Sequence, residues 1–244
     1  MINRNGLSKN ILLYLLLIPL LSFPAFSQGT STGDFYTFRA GDPNGIGKWY
    51  MGREIAYVMG WQGINWLERP TREKEERTAT LLDNLNIQPT DIIADIGAGS
   101  GYHIFQMAPF AQKGLVYAVD IQDEMLATIR NRININGVKN VIPIKGSDKS
   151  VNLPGNKIDK VLLVDVYHEF SYPAEMMESI KKSLKEDGKV YLIEYRGEDD
   201  WVPIKKVHKM TEKQAVKEMK AAGFRLEKNI DNLPWQHCMI FVKK

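Results

Sequence analysis

Cysteine is almost missing: one thiol, Cys238, stands in 244 residues. No internal disulfide can form, so a packed core must supply the stability even in an oxidising compartment. Neither sign of charge dominates, with 32 Lys+Arg against 29 Asp+Glu and a net charge of +3. That balance offers no basic surplus for a polyanion and argues against nucleic acid as a partner. Repeats and low-complexity tracts are absent. With 44% apolar and 25% charged residues, the chain is a globular polypeptide, not a disordered, collagen-like or mucin-like one.

Long hydrophobic runs are lacking as well. Arg4 and Lys9 precede an apolar run from Ile11 to Ile18 that resumes after Pro19 with Leu20 and Leu21. About 11 apolar residues fall short of the roughly 20 a membrane-spanning helix needs. The pattern predicts a signal peptide over 1–27, cleaved after Ala25-Phe26-Ser27, and an exported, periplasmic chain without stable membrane insertion. The alternative is anchoring by an uncleaved leader. Removing Arg4 and Lys9 takes the net charge from +3 to about +1. No cysteine stands at the expected cleavage site to accept a lipid.

Residues 28–45 are rich in Gly, Ser, Thr and Asp without apolar periodicity and read as a flexible lead with little structure. Over 46–88 aromatic residues (Trp49, Tyr50, Tyr57, Trp61, Trp66) alternate with glycines, which suits an N-terminal cap. Thr71 and the pattern to Leu85 predict one amphipathic helix capped by Thr71. From 89 to 244 short apolar runs alternate with helical patterns: Ile92–Ile96 then 101–112, Leu115–Val119 then 123–135, Val141–Ile144, Lys160–Val164 then 173–184, Lys189–Glu194 then 211–222. This predicts an α/β fold with a mostly parallel sheet buried on both faces. Arg225–Ile230 and Cys238–Val242, joined through Asp231-Asn232-Leu233-Pro234, predict a closing antiparallel hairpin.

The chemistry concentrates in Ile92-Ile93-Ala94-Asp95-Ile96-Gly97-Ala98-Gly99-Ser100-Gly101, a strand ending in a glycine-rich turn. Bare backbone there lets a ligand approach the main chain. About 20 residues on, Asp120 ends the next strand, where a carboxylate can accept both hydroxyls of a ribose. A nucleoside-type ligand follows. A dinucleotide turn spaces its glycines G-x-G-x-x-G, whereas here the third glycine comes one residue early. Asp95 would repel a pyrophosphate but can pair with the ammonium of an amino-acid-bearing cofactor, which favours S-adenosylmethionine.

Through Asp95-Ile-Gly-Ala-Gly-Ser-Gly101, Asp120, Gly146-Ser-Asp148 and Val161-Leu-Leu-Val-Asp165, residues 75–244 resemble the class I S-adenosylmethionine-dependent methyltransferases. The Val202-Pro-Ile204, His208-Lys-Met210 and Trp66-Leu-Glu-Arg-Pro70 pieces resemble a bacterial, signal-peptide-bearing subgroup. The resemblance implies a Rossmann-like seven-stranded sheet and a donor site of Asp95 (amino group), Gly97, Gly99 and Gly101 (methionine portion), Asp120 (ribose) and Asp148 (adenine), with Ala98, Ile121, Asp165 and Tyr167 as further donor contacts. His168 is the candidate catalytic base and Glu169 the group that orients it. Arg53, Trp66, Arg69 and His208 are candidates to line the acceptor pocket.

The expected activity is methyl transfer to a small organic acceptor. The stretch Asp165-Val166-Tyr167-His168-Glu169-Phe170 lacks the Pro-Pro-aromatic motif of relatives that methylate planar amino groups. The single thiol excludes arsenic methylation, and the carboxylate cluster of metal-assisted catechol methylation is missing, so no metal is implied. A non-catalytic nucleoside-metabolite binding protein outside the cytoplasm is the alternative, and a dehydrogenase the third option. Oligomeric state is not legible.

Overall fold

The structure, a computed structural model, describes residues 35–244. The leader and its expected cleavage site lie outside them. Among the described residues no helix is long and apolar enough to cross a membrane.

The first elements are β1 (Tyr36–Phe38), β2 (Gly45–Tyr50) and β3 (Arg53–Ala56), an antiparallel sheet in that order. Little structure was expected through residue 45, yet Tyr36–Phe38 pairs with Lys48–Tyr50. Aromatic burial explains the difference: the Tyr36 ring lies 5.5 Å from Tyr50 and 5.8 Å from Tyr172, and its hydroxyl bonds Glu175. A polar composition therefore still anchored a strand.

Next come α1 (Ile64–Leu67), α2 (Arg72–Glu76) and α3 (Thr78–Leu85). The single helix expected from Thr71 to Leu85 is broken at Arg77, whose φ of 50° is left-handed, and Thr71 makes no side-chain cap bond. The break lets Arg72 and Glu76 turn inward as a buried ion pair while Leu81 and Leu85 stay on the sheet.

The main body runs β4 (Ile92–Ile96), α4 (Ile104–Met107), β5 (Leu115–Asp120), α5 (Asp123–Asn136), β6 (Val141–Lys145), β7 (Ile158–Val164), α6 (Pro173–Ser183), β8 (Leu184–Tyr195), α7 (Glu212–Ala221), β9 (Phe224–Asn229) and β10 (Gln236–Lys243). Its seven strands lie in the order β6-β5-β4-β7-β8-β10-β9. β4, β5, β6, β7 and β8 are parallel, and β10 runs antiparallel to both β8 and β9. The α/β architecture and the closing antiparallel hairpin expected from the sequence are thus present. Of the expected helices, 101–112 shrinks to the single turn of α4. Pro109 lacks an N–H and disfavours helix at the residue before it, and one turn already lays Ile104 and Met107 on the sheet.

Neighbouring strand residues point to opposite faces, and here both faces are apolar. Ala94, Leu163 and Leu192 meet Met177 and Ile180 of α6 and Met219 of α7. Ile93, Leu162 and Ile193 meet Leu85 of α3, Met107 of α4 and Ile129 of α5. The chain leaves β4 toward β5 and β6, then returns to β7 on the other side of β4. That reversal opens a crevice at the carboxyl ends of β4 and β7, where open α/β sheets bind ligands.

Candidate active site

A cavity of about 700 Å³ occupies this crevice, within the range of small-molecule sites. Its floor is the turn after β4. Gly97 and Gly99 line it with φ of 73° and 55°, a region that glycine reaches without penalty. A Cβ on Gly97 would lie 2.4 Å from Val166 Cγ2, and one on Gly99 2.6 Å from Leu67 Cδ1. The bare positions are therefore demanded first by the protein's own packing, and what the turn shows the cavity is main chain.

Asp120 sits beside this turn. Its Oδ2 accepts the Gly99 N–H at 2.9 Å and its Oδ1 the Gln122 N–H at 2.8 Å. Burial raises its pKa, and the backbone N–H groups of Gln122, Gly99 and Ile121 oppose that rise. Each oxygen keeps a further lone pair, and the side chain faces the cavity, as do Ile121 and the exposed Asp148.

Asp95 lies beneath the turn, outside the main cavity. It adjoins a void of about 30 Å³ shared with Arg72, Gly97, Ala98 and Ser100. It is 2% exposed and its Oδ2 has no partner. Burial pushes its carboxyl up to about 8, against the pull of the Arg72 guanidinium. Gly101 also stands away from the main cavity, closing the turn onto Phe105 and Ile129.

The carboxyl end of β7 supplies the opposite wall. Asp165, with a φ of 50°, lines the cavity. Its Oδ2 accepts from Gln236 Nε2 at 2.6 Å while Oδ1 is buried without a partner. Burial, then Glu76 and Glu194, hold it above the usual carboxylate range. Tyr167 is fully buried and turned from the cavity, packed edge-on against Phe170 with Arg53 over its ring. A donor contact expected at Tyr167 finds the side chain in the core. Arg53 is likewise withdrawn, forked onto Glu218 at 2.8 and 2.9 Å.

His168, Glu169 and His208 converge on the cavity wall. His168 is 2% exposed, and its Nδ1 is 2.6 Å from Glu194 Oε2 while its Nε2 faces His208 Nδ1 at 3.1 Å. Burial disfavours charge on His168, yet the Glu194 carboxylate outweighs it and raises the pKa. Burial and the neighbouring His168 lower His208 to about 4. Burial pushes Glu169 up to about 7, its charge partly supported by His168 and the Met59 N–H.

The cap forms the roof. Trp66 and Arg69 both line the cavity, the guanidinium stacked 3.8 Å from the Trp66 ring centroid. Glu68, at the end of α1, accepts from Ser100 Oγ at 2.5 Å and Arg132 Nη1 at 2.7 Å, which ties the roof to the glycine turn. Gln122 clamps the roof to β5, donating to the Met59 carbonyl at 3.0 Å and accepting the Trp61 N–H at 2.7 Å. Sequence reading missed Gln122, Glu194 and the Arg72–Glu76 pair. The one available signal was position, since Gln122 lies two residues after Asp120 and Glu194 is the last residue but one of β8.

Comparison with known proteins matches this architecture. Residues 87–237 fit the family model described as a methyltransferase domain. The uncharacterized methyltransferase YdaC of Bacillus subtilis is 29% identical over 143 residues, covering 59% of this chain and 76% of the relative. YcgJ, an uncharacterized methyltransferase of the same organism, is 27% identical over 108 residues, 44% of this chain and 42% of the relative. Among solved structures, a SAM-dependent methyltransferase from Aquifex aeolicus superposes with a TM-score of 0.71 at 22% identity, covering 75% of this chain and 98% of that one. A shared fold, a matched domain spanning most of the sheet and a cavity at the strand reversal agree, and the chain belongs to the methyltransferase-domain family.

Proposed function

We propose that the cavity binds S-adenosylmethionine and that the protein transfers its methyl group to a small organic acceptor. The observation that carries this reading is Asp120, held by two backbone N–H groups beside a bare main-chain turn and facing the cavity with acceptor capacity to spare. Such a carboxylate suits the paired hydroxyls of a ribose. Asp95, with an unpartnered buried oxygen next to the same turn, fits an ammonium group, and Asp148 and Ile121 flank the base end.

The bound donor supplies an activated methyl group on a sulfonium sulfur. The chain's part is alignment and exclusion of water, by which an in-line displacement gains most of its acceleration. Trp66, Leu67 and Met59 roof the cavity, while Asp165 borders it from the end of β7. At the acceptor end His208, neutral at pH 7, and His168, oriented by Glu194, receive the proton of an acceptor hydroxyl in the metal-free protein. The orienting role expected of Glu169 falls to Glu194, because Glu169 Oε1 stands 3.9 Å from His168 Nε2 and 3.7 Å from His208 Nδ1, beyond hydrogen-bond reach. Export through the leader belongs to the same proposal, and N-terminal sequencing of the protein from the periplasmic fraction should begin at Gln28.

Titration calorimetry with the donor and its demethylated product tests the reading. Asp120→Ala removes two charge-assisted hydrogen bonds worth roughly 1.5–3 kcal/mol each, so donor Kd should rise at least about tenfold. A Kd unchanged within twofold would refute the assignment. Binding without turnover on any metabolite extract would favour the non-catalytic binding protein.

A further inference from the structure

Three potential ligand atoms from two separate segments meet on the cavity wall: His168 Nε2 and Glu169 Oε1 after β7, and His208 Nδ1 after β8. His168 Nε2 and His208 Nδ1 are 3.1 Å apart, and Glu169 Oε1 stands 3.9 and 3.7 Å from them. The two longer distances are too great for hydrogen bonds, so the carboxylate faces both nitrogens without bonding either. A circle through the three atoms has a radius of about 2.1 Å, the length of a zinc–nitrogen bond. A single point close to their plane is thus equidistant from all three at coordination distance.

The geometry points to a binding site for a divalent transition-metal ion of the zinc type, held by His168, Glu169 and His208 and open to the cavity for a further ligand. Two imidazoles and one carboxylate are a donor set such ions accept, with a coordination position left for water or substrate. The support around the site is that of a ligand set. His168 Nδ1 lies 2.6 Å from the fully buried Glu194, so a proton held on Nδ1 frees Nε2 to ligate once an ion replaces the His168–His208 hydrogen bond. A ligating histidine characteristically gives its other N–H to a carboxylate in this way. The Met59 N–H donates to Glu169 Oε1 at 3.2 Å, and Arg53 Nη1 donates to the His168 carbonyl at 3.1 Å, so side chain and backbone are both pinned.

The sequence implied no metal because it held no carboxylate cluster at the end of the fourth parallel strand. The third ligand comes instead from a segment 40 residues away. With an ion in place the nitrogen lone pairs are engaged, and the trio no longer receives a proton. It presents a Lewis acid that lowers the pKa of a bound hydroxyl or thiol. That role rests on the methyl-transfer reading, whereas ion binding itself does not, and the two are separable by experiment.

The full chain, stripped with a chelator, is titrated with Co²⁺ alone and then with Zn²⁺ in competition with a chromophoric chelator. One equivalent should bind, with the intense visible bands of low-coordinate cobalt. His208→Ala should abolish the bands and weaken Zn²⁺ by more than about 100-fold, and Glu194→Gln should weaken it about 10–100-fold, as loss of a supporting carboxylate does. His237→Ala, at a histidine paired with Glu198 elsewhere, should change nothing. Far-ultraviolet circular dichroism checks each fold, and the conservative His208→Asp should restore part of the affinity. Cobalt bands missing from the wild type, or zinc affinity unaltered in folded His208→Ala, would overturn the site. Donor calorimetry on the same samples reports separately on the methyl-transfer reading.

Discussion

Asp95 shows how much one side chain carries. Its carboxyl titrates near 8 in the folded protein because burial opposes its charge, whereas an unfolded aspartate ionises near 3.9. Between those values the unfolded chain is ionised and the folded one protonated, so folding takes up a proton. The resulting stabilisation is complete below about pH 4 and lost as pH rises to about 8. Glu169, raised to about 7, acts with the same sign over a narrower window. Urea denaturation across pH 5 to 8 should show wild-type stability falling and a shallower fall in Asp95→Asn. Parallel profiles would mean that Asp95 is ionised in the fold, paired with the Arg72 guanidinium.

At the level of elements the glycine turn after β4 is the critical piece. Gly97→Ala places a Cβ against Val166 in a left-handed conformation, a combination that should cost about 1–3 kcal/mol. Gly137→Ala, at a φ of 62° with open space around it, incurs conformational strain alone, about 1–2 kcal/mol. Denaturant midpoints should therefore fall further for Gly97→Ala, and Val166→Ala added to that variant should recover part of the loss. An equal fall for both would show that Val166 yields freely.

The turn, Asp120 and the strands were legible in the sequence because local rules govern them: short continuous apolar runs for strands buried on both faces, and glycine where φ turns positive. The break at Arg77 was not, since α2 and α3 read as one amphipathic helix until the Arg72–Glu76 pair is seen to need burial. Nor was the inward turn of Tyr167. A strand-end aromatic looks the same in sequence whether it faces ligand or core, and here Arg53, from 114 residues earlier, decides by lying over its ring. Gln122 and Glu194 act on partners distant in the chain, which no local pattern reveals.

For the whole molecule, the question is what fastens the cap to the sheet. Arg53 of β3 forks onto Glu218 of α7, with the side chains 9% and 0% exposed, and Lys48 of β2 donates to the Ser171 carbonyl at 2.6 Å with the Tyr172 ring 3.3 Å from its Nζ. Removing one member of a buried pair leaves a stranded charge. Arg53→Met should destabilise by about 3–5 kcal/mol, while Arg53→Met with Glu218→Leu should recover most of that. Thermal unfolding reads both. A double variant as unstable as the single one would assign the loss to packing of the arginine stem.

The grip of the Gly99 and Gln122 amides on Asp120 also bears on recognition. Two main-chain amides fix the rotamer of that carboxylate during folding, so an arriving nucleoside meets a receptor atom already frozen in place. The ordering entropy that a mobile acid would surrender at the moment of capture has been spent beforehand, and affinity for the sugar is correspondingly less eroded by it.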